Sequence, residues 1–199
     1  MNAISFETVL SLAIGVGLAA ACGFRVFVPL LVLSLASRSG YVPLADHFAW
    51  IASTPALITF ATATILEVMA YYVPWLDNVL DTLATPAAVV AGILANASVL
   101  VDLPPFVKWS VAIIGGGGAA GVVQGATALL RLKSTAFTGG IGNPFVATLE
   151  LVGSLITAVL AIVAPVVGLI AVAIAFVVIV RWSRRRRSQR SLVAGHPLR

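Results

Sequence analysis

The sequence predicts an all-α integral membrane protein of about six transmembrane helices, arranged as two inverted three-helix repeats with interrupted first helices. Three observations carry this expectation. Sixty per cent of the 199 residues are hydrophobic and only 10% are charged, against about 25% charged in a soluble domain. The mean hydropathy is +1.09, and the apolar residues gather into long runs instead of spreading at amphipathic spacing. The two halves of the chain also repeat a series of short patterns in the same order. A chain this apolar is not a disordered segment, a nucleic-acid-binding domain or an ordinary cytosolic enzyme.

The net charge of +5 is a local matter: six of the twelve basic residues lie between Arg181 and Arg190. The single Cys22 excludes an intramolecular disulfide and a cysteine-based metal site, and His47 and His196 fall outside the apolar runs. No cofactor or metal is therefore expected. Residues 1–8 contain no Lys or Arg, so no signal-peptide n-region is visible and the first apolar segment is expected to stay in the mature protein.

A spanning helix needs about 20 mainly apolar residues. Six stretches qualify, at about 8–36, 51–73, 86–101, 108–130, 145–163 and 165–181. The first is too long for one straight crossing, and Gly23 and Pro29 mark it as broken or kinked. Residues 74–85 place Trp75, Leu76, Val79, Leu80 and Leu83 on one helical face and Asp77, Asn78, Asp81 and Thr82 on the other. That is the pattern of a short helix lying in the interface. Gly115–Gly118 marks the fourth stretch as interrupted, with Gly116 and Gly117 at its centre; close helix packing and local unwinding both suit it. Thr138–Pro144 reads as a re-entrant or flexible loop, and Ala164-Pro165 is where the last long apolar run folds into a hairpin.

Lys and Arg near the segment ends set orientation. Arg181–Arg187 is the strongest signal and is expected to be cytoplasmic, with Arg131 and Lys133 on the same side and Arg38 and Lys108 opposite. Six crossings then put both termini in the cytoplasm. The expected partition is residues 1–103 for the first repeat with the interfacial helix, 104–182 for the second, and 183–199 for a basic cytoplasmic tail. In that tail Arg184, Arg185, Arg186 and Arg187 are candidates for contact with anionic lipid.

The repeat rests on three matches. Ser11-Leu-Ala-Ile14 resembles Ser110-Val-Ala-Ile113, which lays Arg25 over Gln124; Thr64–Glu67 resembles Ala147–Glu150; Pro86–Val90 resembles Pro165–Gly168. Three crossings per unit would turn the second unit upside down, as in many secondary transporters, where the site lies near the midplane between interrupted helices.

Ionisable groups inside apolar runs cost about 2.5–3.5 kcal/mol each on insertion scales, and they persist where they meet a partner or a water-filled cavity. Arg25, Glu67 and Glu150 qualify, with Gln124 and Asn96 as neutral companions. They predict a midplane site for a solute or ion. Two carboxylates and one guanidinium sum to −1, which suits a cation or a proton-coupled step. The competing reading is a buried pair that only locks the helices together. No catalytic triad, metalloprotease motif or dinucleotide fingerprint is present, so no enzymatic activity is expected.

The stretch Gly17–Leu30, with Glu67 and Tyr71–Asn78, resembles a bacterial integral membrane family, domain of unknown function 4126. That resemblance covers most of residues 8–180 and implies a bacterial membrane protein, without implying an activity. The residues themselves favour a multi-pass inner-membrane transporter or channel for a small solute or cation, or else a scaffold that organises lipid. The expected partners are the bilayer and a small solute or ion, not nucleic acid; assembly into a homo-oligomer stays open.

Overall fold

The computed structural model describes residues 6–170, 172–174 and 177, and for residues 74–81 it describes the backbone alone. Arg184–Arg187 and the side chains from Trp75 to Asp81 lie outside the described residues. Every regular element among the described residues is helical. In chain order these are α1 (Phe6–Cys22), α2 (Phe27–Arg38), a 3-10 helix (Asp46–Ala52), α3 (Thr54–Ala70), α4 (Pro74–Val99), α5 (Pro105–Val111), a π-helical stretch (Ala112–Gly117), α6 (Gly118–Thr138) and α7 (Asn143–Val163).

The first apolar run is not one kinked crossing. α1 ends at Cys22, the chain turns through Gly23–Val26, and α2 returns beside α1. The return is visible at the open end, where Glu7, Ser11 and Ile14 of α1 share a pocket wall with Tyr41, Val42 and Pro43. Gly23 lies in the turn, but Pro29 breaks nothing. It is the third residue of α2, in the first turn, where a helix has no intrahelical use for an N–H.

The tip of this hairpin is sunk in the bundle. A Cβ on Gly23 would lie 2.5 Å from the Ala120 carbonyl oxygen, and Ala120 is near the middle of the rod formed by α5, the π stretch and α6. The Ala21 carbonyl accepts the Ser154 hydroxyl at 3.0 Å, and Ser154 is near the middle of α7. Hydropathy has no direction, so it could not distinguish a hairpin from a crossing.

Three helical stretches are long and apolar enough to cross a membrane: Thr82–Val99, Pro105–Thr138 and Asn143–Val163. A fourth is available if the 3-10 helix and α3, which meet at a 63° bend, make one span. Within the described residues this is fewer than the six expected: α1 and α2, of 17 and 12 residues, are each short, and the crossing expected at 165–181 lies partly outside the described residues. The chain does turn at Ala164 and becomes helical again from Pro165, and a Cβ on Gly168 would meet the Ala161 backbone at 3.3 Å.

Three further expectations change. Residues 74–85 are not a separate helix; they are the opening of α4, which continues through Pro86, an arrangement membrane helices tolerate when neighbours satisfy the freed backbone groups. Gly116 and Gly117 do not interrupt their helix; they widen it to π geometry and the rod runs on. The loop 139–142 is a tight turn, not a re-entrant segment. Gly139 closes α6 with φ of +63°, the Gly142 N–H donates to Thr138 Oγ1 at 2.9 Å, and Asn143 Nδ2 donates to Thr135 Oγ1 at 3.0 Å. The two stretches expected to be equivalent, 8–36 and 108–130, thus fold differently, one as a hairpin and one as part of a continuous helical rod.

Small residues bring these helices close, as expected where dispersion replaces the hydrophobic effect. A methyl on Gly92 of α4 would sit 2.6 Å from Ala120 Cβ, and one on Gly116 would sit 2.6 Å from the Gly92 carbonyl oxygen. A methyl at Gly118 meets nothing within 4 Å. We expect Gly92→Val to destabilise by at least the ~1–3 kcal/mol of an overpacked core. Gly118→Ala is expected to be neutral or to stabilise by up to ~1 kcal/mol through helix propensity. Thermal unfolding in one detergent compares the two, and equal losses would show that the seam is not tightly packed.

Candidate functional site: a buried arginine pair on one carboxylate

Arg25 stands in the tip of the α1–α2 hairpin and is 2% exposed. Its Nη2 donates to the Ala147 carbonyl at 2.8 Å and lies 3.6 Å from Glu150 Oε2. Glu150 is held from the other side by Arg131, whose Nε donates to Oε1 at 2.9 Å and whose Nη2 bonds Oε2. Both guanidiniums lie over the ring of Tyr71, with Cζ 3.9 Å from the centroid for Arg25 and 4.1 Å for Arg131. Cation–π contact of this kind is worth about 2 kcal/mol or more when desolvated.

The bundle positions these groups simply. Arg131 lies seven residues before the end of α6, and Glu150 seven residues after the start of α7. The tight 139–142 turn folds the two helices against each other, so both side chains arrive about 10 Å from the turn. Tyr71 follows α3 directly and reaches the same level. The cluster therefore lies between the mid-bundle tip and the α6–α7 turn, off the centre where the sequence placed it.

Glu67 has a different job from the one expected. Its carboxylate accepts the Val26 N–H at 2.8 Å and the Phe27 N–H at 3.1 Å. It caps the amino-terminal end of α2, whose own cap position, Val26, offers no side-chain acceptor. Arg25 finds its ion-pair partner in Glu150. Gln124 is buried, with its backbone nitrogen 3.0 Å from where a Gly23 Cβ would be. Asn96 stays apart from the charges, against Gly15 and Gly116 in the α1–α4 seam, with its Nδ2 donating to the Val111 carbonyl at 3.3 Å.

Sequence reasoning missed Arg131 and Tyr71. Arg131 looked like an interfacial positive charge because Lys133 is beside it, although Leu129, Leu130 and Leu132 flank it. Including it changes the charge sum from −1 to 0, and the three groups in direct contact, Arg25, Arg131 and Glu150, sum to +1.

Two further features belong to the cluster and its surroundings. The Nε and Nη1 atoms of Arg25 are buried and have no hydrogen-bond partner. A cleft of about 450 Å³ between α6 and α7 reaches Glu150, with Phe24, Lys133 and Ser134 also on its walls. The other large cavity, about 590 Å³, is lined by apolar groups of α1, α6, α7 and the segment after Pro165.

A helical bundle with membrane-spanning segments, a helix hairpin sunk to mid-depth and a buried arginine pair define a polytopic membrane protein. The chain belongs to the family described as Domain of unknown function (DUF4126), whose model matches residues 12–185. Neither the curated proteins nor the solved structures hold a match to it.

Removing the Glu67 cap leaves two backbone N–H groups unpaired in the interior, at about 1–3 kcal/mol each. Glu67→Ala is expected to lower stability by at least ~2 kcal/mol, and Glu67→Gln, which keeps one acceptor oxygen, by about half as much. Chemical denaturation reads both; a neutral Glu67→Ala would remove the capping role.

Proposed function

We propose that the protein is a carrier or channel for a small polar solute in a bacterial inner membrane, with Arg25, Arg131 and Glu150 as its polar site. The observation that carries the reading is the buried Arg25 guanidinium with unspent N–H groups. A side chain held that deep costs stability unless a partner completes it, and the α6–α7 cleft beside Glu150 gives a partner a way in. The reading gives the chain a binding role and no catalysed reaction.

A second reading is favoured by the bidentate contact of Arg131 with Glu150. It takes the cluster as a lock in a non-transporting scaffold, fixing α6, α7 and the hairpin tip. Proteoliposomes separate the two. The transport reading expects solute flux that Arg25→Gln abolishes in a folded protein. The scaffold reading expects no flux from either, and a stability loss of about 3–5 kcal/mol when one partner of the ion pair is removed.

Orientation is part of the proposal. The α6–α7 turn faces the cytoplasm, because Lys133 lies at that end. Because the α1–α2 hairpin returns to its own side, the start of α1 then lies on the opposite face from that turn. This reading differs from the expectation of a cytoplasmic amino terminus. Cys22 is buried and gives no background to thiol labelling. A membrane-impermeant reagent applied from outside should label Ser39→Cys in intact cells and Ala136→Cys only after permeabilisation. Equal labelling of both, or the reverse order, would overturn this orientation.

A further inference from the structure

The end of the bundle away from the α6–α7 turn holds a cavity that the arginine cluster does not use. It measures about 400 Å³ and lies between the start of α1, the loop after α2 and the loop joining α4 to α5. Its floor belongs to the core, since Ile14, Val42 and Val99 are all buried. Its walls are fixed by backbone bonds. Gly40, with φ of +76°, closes α2, the Gly40 N–H donating to the Ser37 carbonyl at 3.1 Å and the Tyr41 N–H to the Ala36 carbonyl at 2.9 Å. This is the Schellman pattern, and it sets where Tyr41 stands. The Ala45 N–H then donates to the Ser98 carbonyl at 2.8 Å, tying the loop to the end of α4.

The polar part of the lining has one character. Glu7 comes from the first turn of α1 and Asp102 from the α4–α5 loop, and no Lys, Arg or His is among the lining residues. Among the described residues neither carboxylate has a hydrogen-bond or ion-pair partner. The Ser11 hydroxyl gives its proton to the Thr8 carbonyl at 3.0 Å, so it turns lone pairs to the cavity. Tyr41, on the same lining, is 80% exposed, a large ring left in water beside two negative charges. Glu7 also suits the amino-terminal dipole of α1, but the dipole accounts for neither Asp102 nor the exposed ring.

These groups exclude most ligand classes. An anion meets two like charges, and a neutral molecule leaves both unanswered. A bare metal ion leaves the carbon floor empty, and no three His, Cys, Asp or Glu among the described residues gather to hold one. We infer that the cavity binds a water-soluble organic monocation, an ammonium head on a short apolar chain. The head meets Glu7, Asp102 and the face of Tyr41, as aromatic rings receive ammonium groups, and the chain lies against Leu10, Ile14 and Val99. This inference does not rest on the transport reading of the arginine cluster.

The test uses the full chain in an uncharged detergent at neutral pH. Hexylammonium chloride at a hundredfold excess over its Kd is expected to raise the unfolding temperature by about 5–10 °C. Hexanol, hexanoate and ammonium chloride at the same concentration are expected to give no shift. Glu7→Gln, Asp102→Asn and Tyr41→Leu change exposed side chains, and each should raise the Kd for hexylammonium about two- to fivefold. The double carboxylate variant should raise it about tenfold. In the parent, added sodium chloride should weaken hexylammonium binding by screening the two carboxylates, a readout that needs no variant.

Equal shifts with hexanol or hexanoate, an affinity unchanged in the double variant, or an affinity insensitive to salt would each overturn the inference. So would stabilisation by calcium with none by hexylammonium, which would make the cavity a metal site. Stabilisation by phosphatidylethanolamine in bilayer discs with none by hexylammonium would overturn it too, by making the ammonium a lipid headgroup.

Discussion

A helix that reverses inside an apolar bundle exposes backbone groups where water cannot reach them, and this molecule is organised around that problem. The α1–α2 tip leaves carbonyls at the end of α1 and N–H groups at the start of α2. Each unsatisfied group would cost several kcal/mol in hydrocarbon. The Ala21 carbonyl accepts the N–H groups of Phe24 and Arg25 and the Ser154 hydroxyl. The Val26 and Phe27 N–H groups go to Glu67. One solution therefore draws α7 to one side of the tip and α3 to another. Gly23, which places the tip against the α6 backbone, completes the enclosure.

That arrangement also explains where the charges sit. Once Glu67 is committed to the N–H groups of Val26 and Phe27, it is a poor counter-ion for Arg25, which precedes them in the chain. The counter-ion comes instead from α7 as Glu150, and Arg131 shares it. Two guanidiniums on one carboxylate repel each other, and the Tyr71 ring meets both with the negative face of its π-system. Removing any one of the four leaves the others worse paired, so effects at this cluster are expected to be non-additive. The arrangement is thus a lock that leaves part of Arg25 unspent.

Much of this was legible in the sequence, and the failures have definite causes. The helical membrane class, the break at Gly23, the turn at Ala164-Pro165 and the anomaly of Arg25, Glu67 and Glu150 all follow from hydropathy and residue chemistry. The direction of α2 did not, because an apolar run reads the same whether the chain continues or doubles back. The continuity of α4 through Pro86 was hidden because proline is a stronger breaker in water than in a bundle. Arg131 was hidden by its distance from the helix end, which is short enough to pass for an interfacial position. The signal that could have found it is symmetry about the turn: Arg131 and Glu150 are each seven residues from the helix ends that the 139–142 turn joins, so any tight hairpin there must pair them.

The glycine run shows why composition alone could not separate packing from unwinding. In the π stretch Ala112–Gly117 the helix is wider than an α-helix, so successive small residues turn through a smaller angle and both Gly116 and Gly117 face α4. Gly116 meets the Gly92 backbone and Asn96 Cβ, and a methyl on Gly117 would meet Ile93. The same widening disturbs the regular ladder at its start, where Asn96 reaches across to the Val111 carbonyl. Asn96 therefore belongs to the joint between α4 and the rod, and its position against Gly15 ties α1 into that joint. The rod keeps its span without a break, and the seam sets the depth at which Ala120 receives the hairpin tip. The glycines and the arginine pair are in this sense one construction: the close approach of α1, α4 and α6 fixes where the tip stops, and where the tip stops decides which carboxylate Arg25 can reach.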